Sequence, residues 1–299
     1  MTAPLLDIVN RAIGLELEPV TYRYDERDVA LYALGIGAPA DPLDQEELKF
    51  VYELSGRGFS VFPTFALIYS RDLHHHFLSG DLAGIVYNPM MVLHGEQYLE
   101  LLRPLPVRGT VSTSLRISQI FDKGSGMLLT IEGESADKSG KTLAFSRWSV
   151  FIRGLGGFGG DRGPSTKIES PQTAPDIVQE ERTSETQALL YRLAGDVNPL
   201  HADPQMAAIG NYDKPILHGL CTYGFAARAI LRHCCANEPL RLRSIGARFS
   251  QHVFPGETLQ TEIWSLDERE LHFQTRALER NAVVLSNGRA RLRPLGGSE

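Results

Sequence analysis

The sequence predicts an α+β protein made of two repeats, each an antiparallel sheet wrapped around a central helix. Three observations point there. First, YALGIGAPADP (Tyr32 to Pro42) and YRLAGDVNPLHADP (Tyr191 to Pro204) share Tyr and Leu at one offset, break at glycines and run into Ala-Asp-Pro, the mark of an internal repeat. Second, Leu220, Gly224, Ala227, Ile230, Leu231 and Cys234 recur at three- and four-residue steps beside small Ala226 and Ala229, which reads as a close-packed central helix. Third, each half ends in alternating, β-branched segments of strand character.

In chain order, Pro19 to Leu34 is an extended start that turns into a short helix. His74-His75-His76 does not read as a metal site, because consecutive side chains fan apart on a helix or alternate on a strand; a solvated or capping role is expected. His94 and Glu96, two apart on an expected strand, share a face that the duplication would place on the acyl cleft; a hydrogen-bonded structural pair is the reading, with a second acid/base site as the alternative. Leu102 to Gly109 feeds a strand from Thr110 to Ile117, and Met127 to Ser135 and Leu143 to Arg153 form a hairpin. The glycine run Gly154 to Gly160 lacks the Lys-Ser/Thr and helix of a phosphate loop, so it is a strand exit. Ser165 to Glu180, polar and with two prolines, continues as an exposed connection. The boundary falls near 165, giving repeats 1–164 and 165–299.

The second repeat opens with a helical turn over Ser184 to Leu193, with Leu189, Leu190 and Leu193 on one side and Thr183 or Ser184 as cap. After the central helix, His252 to Glu257 is the turn matching Leu102 to Gly109 and leads into a strand from Thr258 to Leu266. Glu270 to Leu278 and Ala282 to Arg293 then repeat the hairpin.

Between these helices lies the chemistry. Asp196, Asn198 and His201 fall within six residues on a segment that Gly195 and Pro199 keep out of a helix. A rigid loop can hold a carboxylate and an imidazole at the spacing that proton transfer through one water requires. His218-Gly219 opens the central helix, whose first amides lack intrahelical partners at the positive dipole end. The Gly219 amide is therefore an oxyanion donor that no Cβ shields. Singly, each of these residues more often satisfies a loop backbone or the core; together they make an acid/base site. The first copy carries glycine and alanine there, with no histidine, and Val61 to Phe65 replaces the Pro215 to Gly219 stretch. It is expected to bind, not to catalyse.

The run from Tyr191 to Ala207, Y-R-L-A-G-D-V-N-P-L-H-x5-A, followed by P-I-L-H-G-L, resembles the signature of the MaoC-like hydratase 2 family, the (R)-specific enoyl-CoA hydratases of the hot-dog superfamily. The resemblance implies a double hot-dog fold and a CoA thioester as substrate, with no cofactor and no metal. It implies catalytic Asp196 and His201, a supporting Asn198 and an oxyanion hole at Gly219. His218, Tyr191 and, if the duplication places its strand face on the cleft, His94 are the substrate-binding candidates. The implied reaction is reversible hydration of trans-2-enoyl-CoA to (R)-3-hydroxyacyl-CoA. Alternatives are a dehydratase acting on carrier-protein or steroid-derived thioesters, a hot-dog thioesterase, and a non-catalytic acyl-CoA-binding module. Homodimerisation is a further expectation of the resemblance.

Composition bounds the rest. With 42% hydrophobic and 22% charged residues and a net charge of −6, the chain has a globular balance and no basic footprint for nucleic acid. No apolar run approaches a membrane span, Met1 to Asn10 lacks a secretory pattern, and Gly297-Ser298-Glu299 is no peroxisomal address. The cytoplasm is the expected location. Cys221, Cys234 and Cys235 lie on one expected helix and read as core thiols.

Overall fold

In the computed structural model, which describes residues 5–70, 73–164 and 168–294, a short helix α1 (Leu5–Ala12) precedes strand β1 (Glu16–Tyr24) and helix α2 (Glu26–Gly35). Asp25 caps α2 in a capping box with Asp28. The turn α3 (Gln45–Leu48), a 3-10 helix at Pro63–Ser70 and helix α4 (Leu73–Leu78) come next. A two-stranded pair, β2 (Asp81–Leu82) and β3 (Ile85–Val86), precedes the long strands β4 (Val92–Leu101), β5 (Gly109–Asp122), β6 (Gly126–Asp137) and β7 (Thr142–Arg153). The second half runs β8 (Ile177–Arg182), α5 (Gln187–Tyr191), α6 (Pro204–Ile209), α7 (Gly219–Cys235), β9 (Leu242–Phe249), β10 (Thr258–Ser265), β11 (Glu270–Ala277) and β12 (Ala282–Leu292). Among these helices none is long and apolar enough to cross a membrane.

The strand order is β1-β5-β6-β7-β4-β9-β12-β11-β10-β8 in one ten-stranded sheet. Read outward from the central β4–β9 pair, each half repeats the other, β7 answering β12, β6 answering β11, β5 answering β10 and β1 answering β8. The duplication reaches side chains. Thr113 and Ser135 share a buried hydroxyl bond of 2.8 Å between β5 and β6, and Thr261 and Thr275 share one of 3.0 Å between β10 and β11. Where the repeats meet, the rings of Tyr32 and Tyr191 lie 6.0 Å apart. This is the double hot-dog architecture, and one buried cluster runs from Tyr22 to Leu292 through both halves.

The second half wraps its strands around α7, whose buried residues include Cys221, Ala226, Ala227, Ile230 and Leu231. A Cβ on Gly224 would collide with the Ile36 side chain, so glycine is what lets the first half press against this helix. Arg228 is buried with it, donating to both carboxylate oxygens of Glu47 at 2.9 and 3.1 Å, to Glu181 at 2.5 Å and to the Ile36 carbonyl at 3.2 Å. Cys221 and Cys235 are buried free thiols and Cys234 is half-buried.

The structure corrects four local expectations. Where a central helix is expected in the first half, the described residues Pro63–Ser70 form a 3-10 segment. This 3-10 segment is held by aromatic contacts, Phe65 and Tyr69 lying 5.0 and 5.4 Å from the Tyr24 ring. The leucine side of α5 faces solvent, Leu189 and Leu193 being exposed while Ala188, Tyr191 and Ala194 are buried. Close approach is the reason, since a Cβ on Gly35 would stand 3.3 Å from the Tyr191 Cα. The expected cap is present at Ser184, whose Oγ accepts the Thr186 amide at 3.2 Å while Gln187 Oε1 accepts the Ser184 amide at 3.2 Å. The connection after residue 165 is not all loop, because Ile177 to Arg182 form the edge strand β8 on β10, and Ser170 and the Thr173 carbonyl bind His272 and Trp264. Finally, a bulge between His94 and Glu96 sets His94 opposite Val150 but Glu96 opposite Ser149. The two side chains therefore leave on opposite faces, and Glu96 pairs with Arg248 at 2.6 Å. His74 to His76 lie on α4, but their side chains are outside the described residues, as are Met1 to Pro4, Ser165 to Lys167 and the last five residues.

The glycine run after β7 is a strand exit folded onto a carboxylate. Asp122 accepts the amides of Gly157, Gly124 and Gly159 at 2.8, 2.9 and 2.8 Å, and these bonds hold its pKa below the ordinary carboxylate value. Because the folded pKa is depressed, this stabilisation is present above the unfolded value and is lost as pH falls through the folded one. Wild type and Asp122→Asn should therefore differ in urea midpoint at neutral pH and converge as pH drops below about 4. Arg228→Met, which strands Glu47 without its cation, should lower the unfolding free energy by about 3–5 kcal/mol in chemical denaturation.

Candidate active site

Each residue of the site owes its place to the local chain. α5 runs through a single 3-10 turn (Arg192–Ala194) to Gly195, whose φ of 140° takes the backbone where other residues rarely go. The Asp196 carboxylate accepts the Asn198 amide at 3.1 Å, and Asn198 Oδ1 accepts the Leu200 amide at 3.1 Å. With Pro199 in the first position, this caps the 3-10 turn Pro199–His201. The turn delivers His201 inward, 8% exposed, where its Nδ1 lies 2.8 Å from the Ile216 carbonyl. A carbonyl only accepts, so Nδ1 carries the proton and the lone pair sits on Nε2.

Behind His201 stands His218, 1% exposed. The rings stack with centroids 3.8 Å apart and 28° between planes, and His218 Nε2 donates to the Asp196 carbonyl at 3.0 Å. A nitrogen or carboxylate oxygen from each of Asp196, His201 and His218 lies within 4.8 Å of the others. One water hydrogen-bonded to two such groups at about 2.8 Å each spans that gap. A metal ion would need the two imidazoles to converge on one point, whereas here they lie face to face with one nitrogen each committed to a carbonyl. The arrangement is suited to moving protons.

Gly219 is the first residue of the 17-residue helix α7, so its amide is outside the helical ladder at the positive end of the dipole. A Cβ there would approach the Phe249 ring to 3.0 Å. Asp196, Asn198, His201 and Gly219 all line one cleft of about 580 Å³, within the usual range for a small-molecule site. Its facing wall comes from the first half, with Phe77, Leu78, Val92, His94, Trp148 and Val150. His94 sits between Trp148 and Phe249, at centroid distances of 4.8 and 4.5 Å. A separate small cavity of about 20 Å³ shares the lining residues Trp148, Asp196 and Leu220 with the cleft and is also lined by Gln97, Ile131 and Ser146 of the first-half strands.

The structure thus brings together Asp196, Asn198, His201 and Gly219, and sets His94 across from them. His218 is not on the cleft wall, and Tyr191 lines only the separate small cavity. Burial, with smaller contributions from Tyr32, Cys221 and Asp196, raises the Tyr191 hydroxyl well above its ordinary pKa, so it stays protonated. Sequence reasoning missed Trp148, Phe249 and the Ser250 to Val253 segment. Trp148 and Phe249 lie on strands where alternation separates core from surface but does not mark a cleft.

Residues 22–154 match the family model described as the MFE-2 hydratase 2 N-terminal domain, and residues 167–287 match the MaoC like domain. A Dictyostelium discoideum protein named probable enoyl-CoA hydratase 2 is 45% identical over 96% of this chain and 97% of its own. The chain belongs to the MaoC-like hydratase 2 family. A second member, named enoyl-CoA hydratase 2, peroxisomal, from Arabidopsis thaliana, is 43% identical over 91% of both chains. The crystal structure of a MaoC-like dehydratase from Phytophthora capsici superposes with a TM-score of 0.84 at 34% identity, covering 97% of this chain and 99% of that one. The expected cytoplasmic location finds no support among these relatives, one of which is named for the peroxisome.

Asn198→Ala removes the acceptor that closes the turn carrying His201. It should cost about 1 kcal/mol of stability in urea denaturation, while Asn198→Asp, which keeps the acceptor, should cost less.

Proposed function

We propose that this protein catalyses the reversible hydration of trans-2-enoyl-CoA to (R)-3-hydroxyacyl-CoA. The observation that carries the reading is a carboxylate, an imidazole and a helix-start amide converging on one cleft, in a chain whose relatives are named enoyl-CoA hydratase 2. Asp196 and His201 hold one water between them. As its oxygen adds to C3, His201 Nε2 is oriented to take the proton, and negative charge grows on the thioester oxygen. The Gly219 amide stabilises that charge where it develops, in a site partly shielded from water. The pair then returns a proton to C2, so that H and OH are added across the double bond. Dehydration of the 3-hydroxyacyl thioester uses the same groups in reverse.

The first half supplies the acyl pocket. Its Phe77, Leu78, Val92, Trp148 and Val150 line the large cleft opposite Asp196 and His201 and offer the acyl chain an apolar face. Among the described residues of this half no second acid/base set is found, and one active site per chain is the reading.

Asp196→Asn and His201→Ala should each lower the hydration rate of crotonyl-CoA by about 10²- to 10⁴-fold, the range expected for general acid/base groups, with far-UV circular dichroism unchanged. The assay follows loss of enoyl absorbance together with free thiol. Absorbance loss without thiol release is the expected result, thiol release would point to thioester hydrolysis, and full activity in both variants would sink the assignment.

A further inference from the structure

We infer that His218 is a positioning residue that locks the spacing between Asp196 and His201 without touching substrate; this rests on the hydratase reading above. The geometry assigns it two attachments. Its ring lies against the His201 ring at 3.8 Å, and its Nε2 donates to the main-chain carbonyl of Asp196 at 3.0 Å. One side chain therefore grips both partners of the water-holding pair. His218 is 1% exposed and absent from the cleft wall, while its neighbour Gly219 lies on that wall.

The need for such a clamp follows from the loop. Gly195 has the freedom of a positive φ, and Val197 beyond Asp196 is 55% exposed, so packing does little to hold this stretch. The Asp196 carboxylate caps its own loop through the Asn198 amide, a bond that moves with the loop. The His218 bond instead ties the Asp196 backbone to the start of α7, a buried helix. The carbonyl of His218 in turn accepts the Cys221 and Thr222 amides at 3.1 and 3.2 Å, so His218 is part of that helix start. The same helix start carries the Gly219 amide. Water site and oxyanion site are thereby referred to one rigid element. On the other flank Tyr191 packs at 4.9 Å from the His218 ring, so the imidazole is held from both sides.

Two substitutions separate the attachments. His218→Phe keeps an aromatic ring for the stack but loses the donor, and His218→Gln places an amide nitrogen near the Nε2 position and keeps the donor. With crotonyl-CoA, the Phe variant should lose about 30- to 100-fold in kcat with KM within about threefold, the cost expected when a reacting group shifts by about an ångström. The Gln variant should recover to within about fivefold of wild type. Hydrogen exchange at the Val197 and Asn198 amides, measured without substrate, should quicken in the Phe variant and not in the Gln variant. A KM raised about tenfold at unchanged kcat would mean contact with substrate and overturn the inference, as would unchanged kcat and exchange in the Phe variant. Should the Phe variant not fold, a loss above about tenfold in the Gln variant would also overturn it. If the wild type hydrates no enoyl-CoA, the hydratase reading fails while the exchange result still decides the clamp.

Discussion

Arg228 is the side chain through which the helix that begins the site is held against the half that forms the opposite wall of the cleft. Its side chain is 3% exposed, and the guanidinium bonds to Glu47, Glu181 and the Ile36 carbonyl. An ion group this buried is tolerable only with its charge answered, which the Glu47 and Glu181 carboxylates do here. Glu47 also accepts the Ala40 amide at 3.0 Å, so the contact reaches the loop that follows the first repeat's helix α2. Nine residues separate Arg228 from Gly219, about 14 Å of helix. Fixing one end of so stiff an element fixes the other, and the Gly219 amide takes its place relative to His94 and Trp148 by way of that lever.

The two repeats use equivalent positions for different ends. Tyr32 donates its hydroxyl to Thr64 at 2.8 Å, closing the first copy with a satisfied, neutral pair. Tyr191 in the second copy packs instead on His218, which stacks on His201. One copy spends its polar groups on itself, and the other presents them to a cleft. Where the second copy has the start of α7, the first has the 3-10 segment Pro63–Ser70, and the first copy's apolar residues Phe77, Leu78, Val92 and Trp148 line the cleft opposite Asp196 and His201.

The connection between repeats is structural for a similar reason. Its glycines satisfy Asp122, and its later residues cover His272 and Trp264 before becoming the edge strand β8. Burial, with a further contribution from Arg289, pushes His272 down to about 4, so it is neutral beneath this strap. The polar character of the segment answers buried groups of the sheet it crosses.

The sequence by itself determined what short-range chemistry dictates. Gly195 and the Asn198-Pro199 step force a loop, the small residues of Leu220 to Cys235 force a packed helix, and the paired phrases reveal the duplication that the mirrored strand order displays. Asp196, Asn198, His201 and Gly219 were legible because they are close in sequence and sit at breaks that only a few residue types allow. The tertiary structure alone decided the rest. The buried face of α5 is set by Gly35, more than 150 residues away, and not by its own leucines. The faces taken by His94 and Glu96 depend on one bulge. The place of His218 behind its neighbours, and of Trp148 and Phe249 on the cleft, follows from contacts between elements distant in the chain, which no local pattern records.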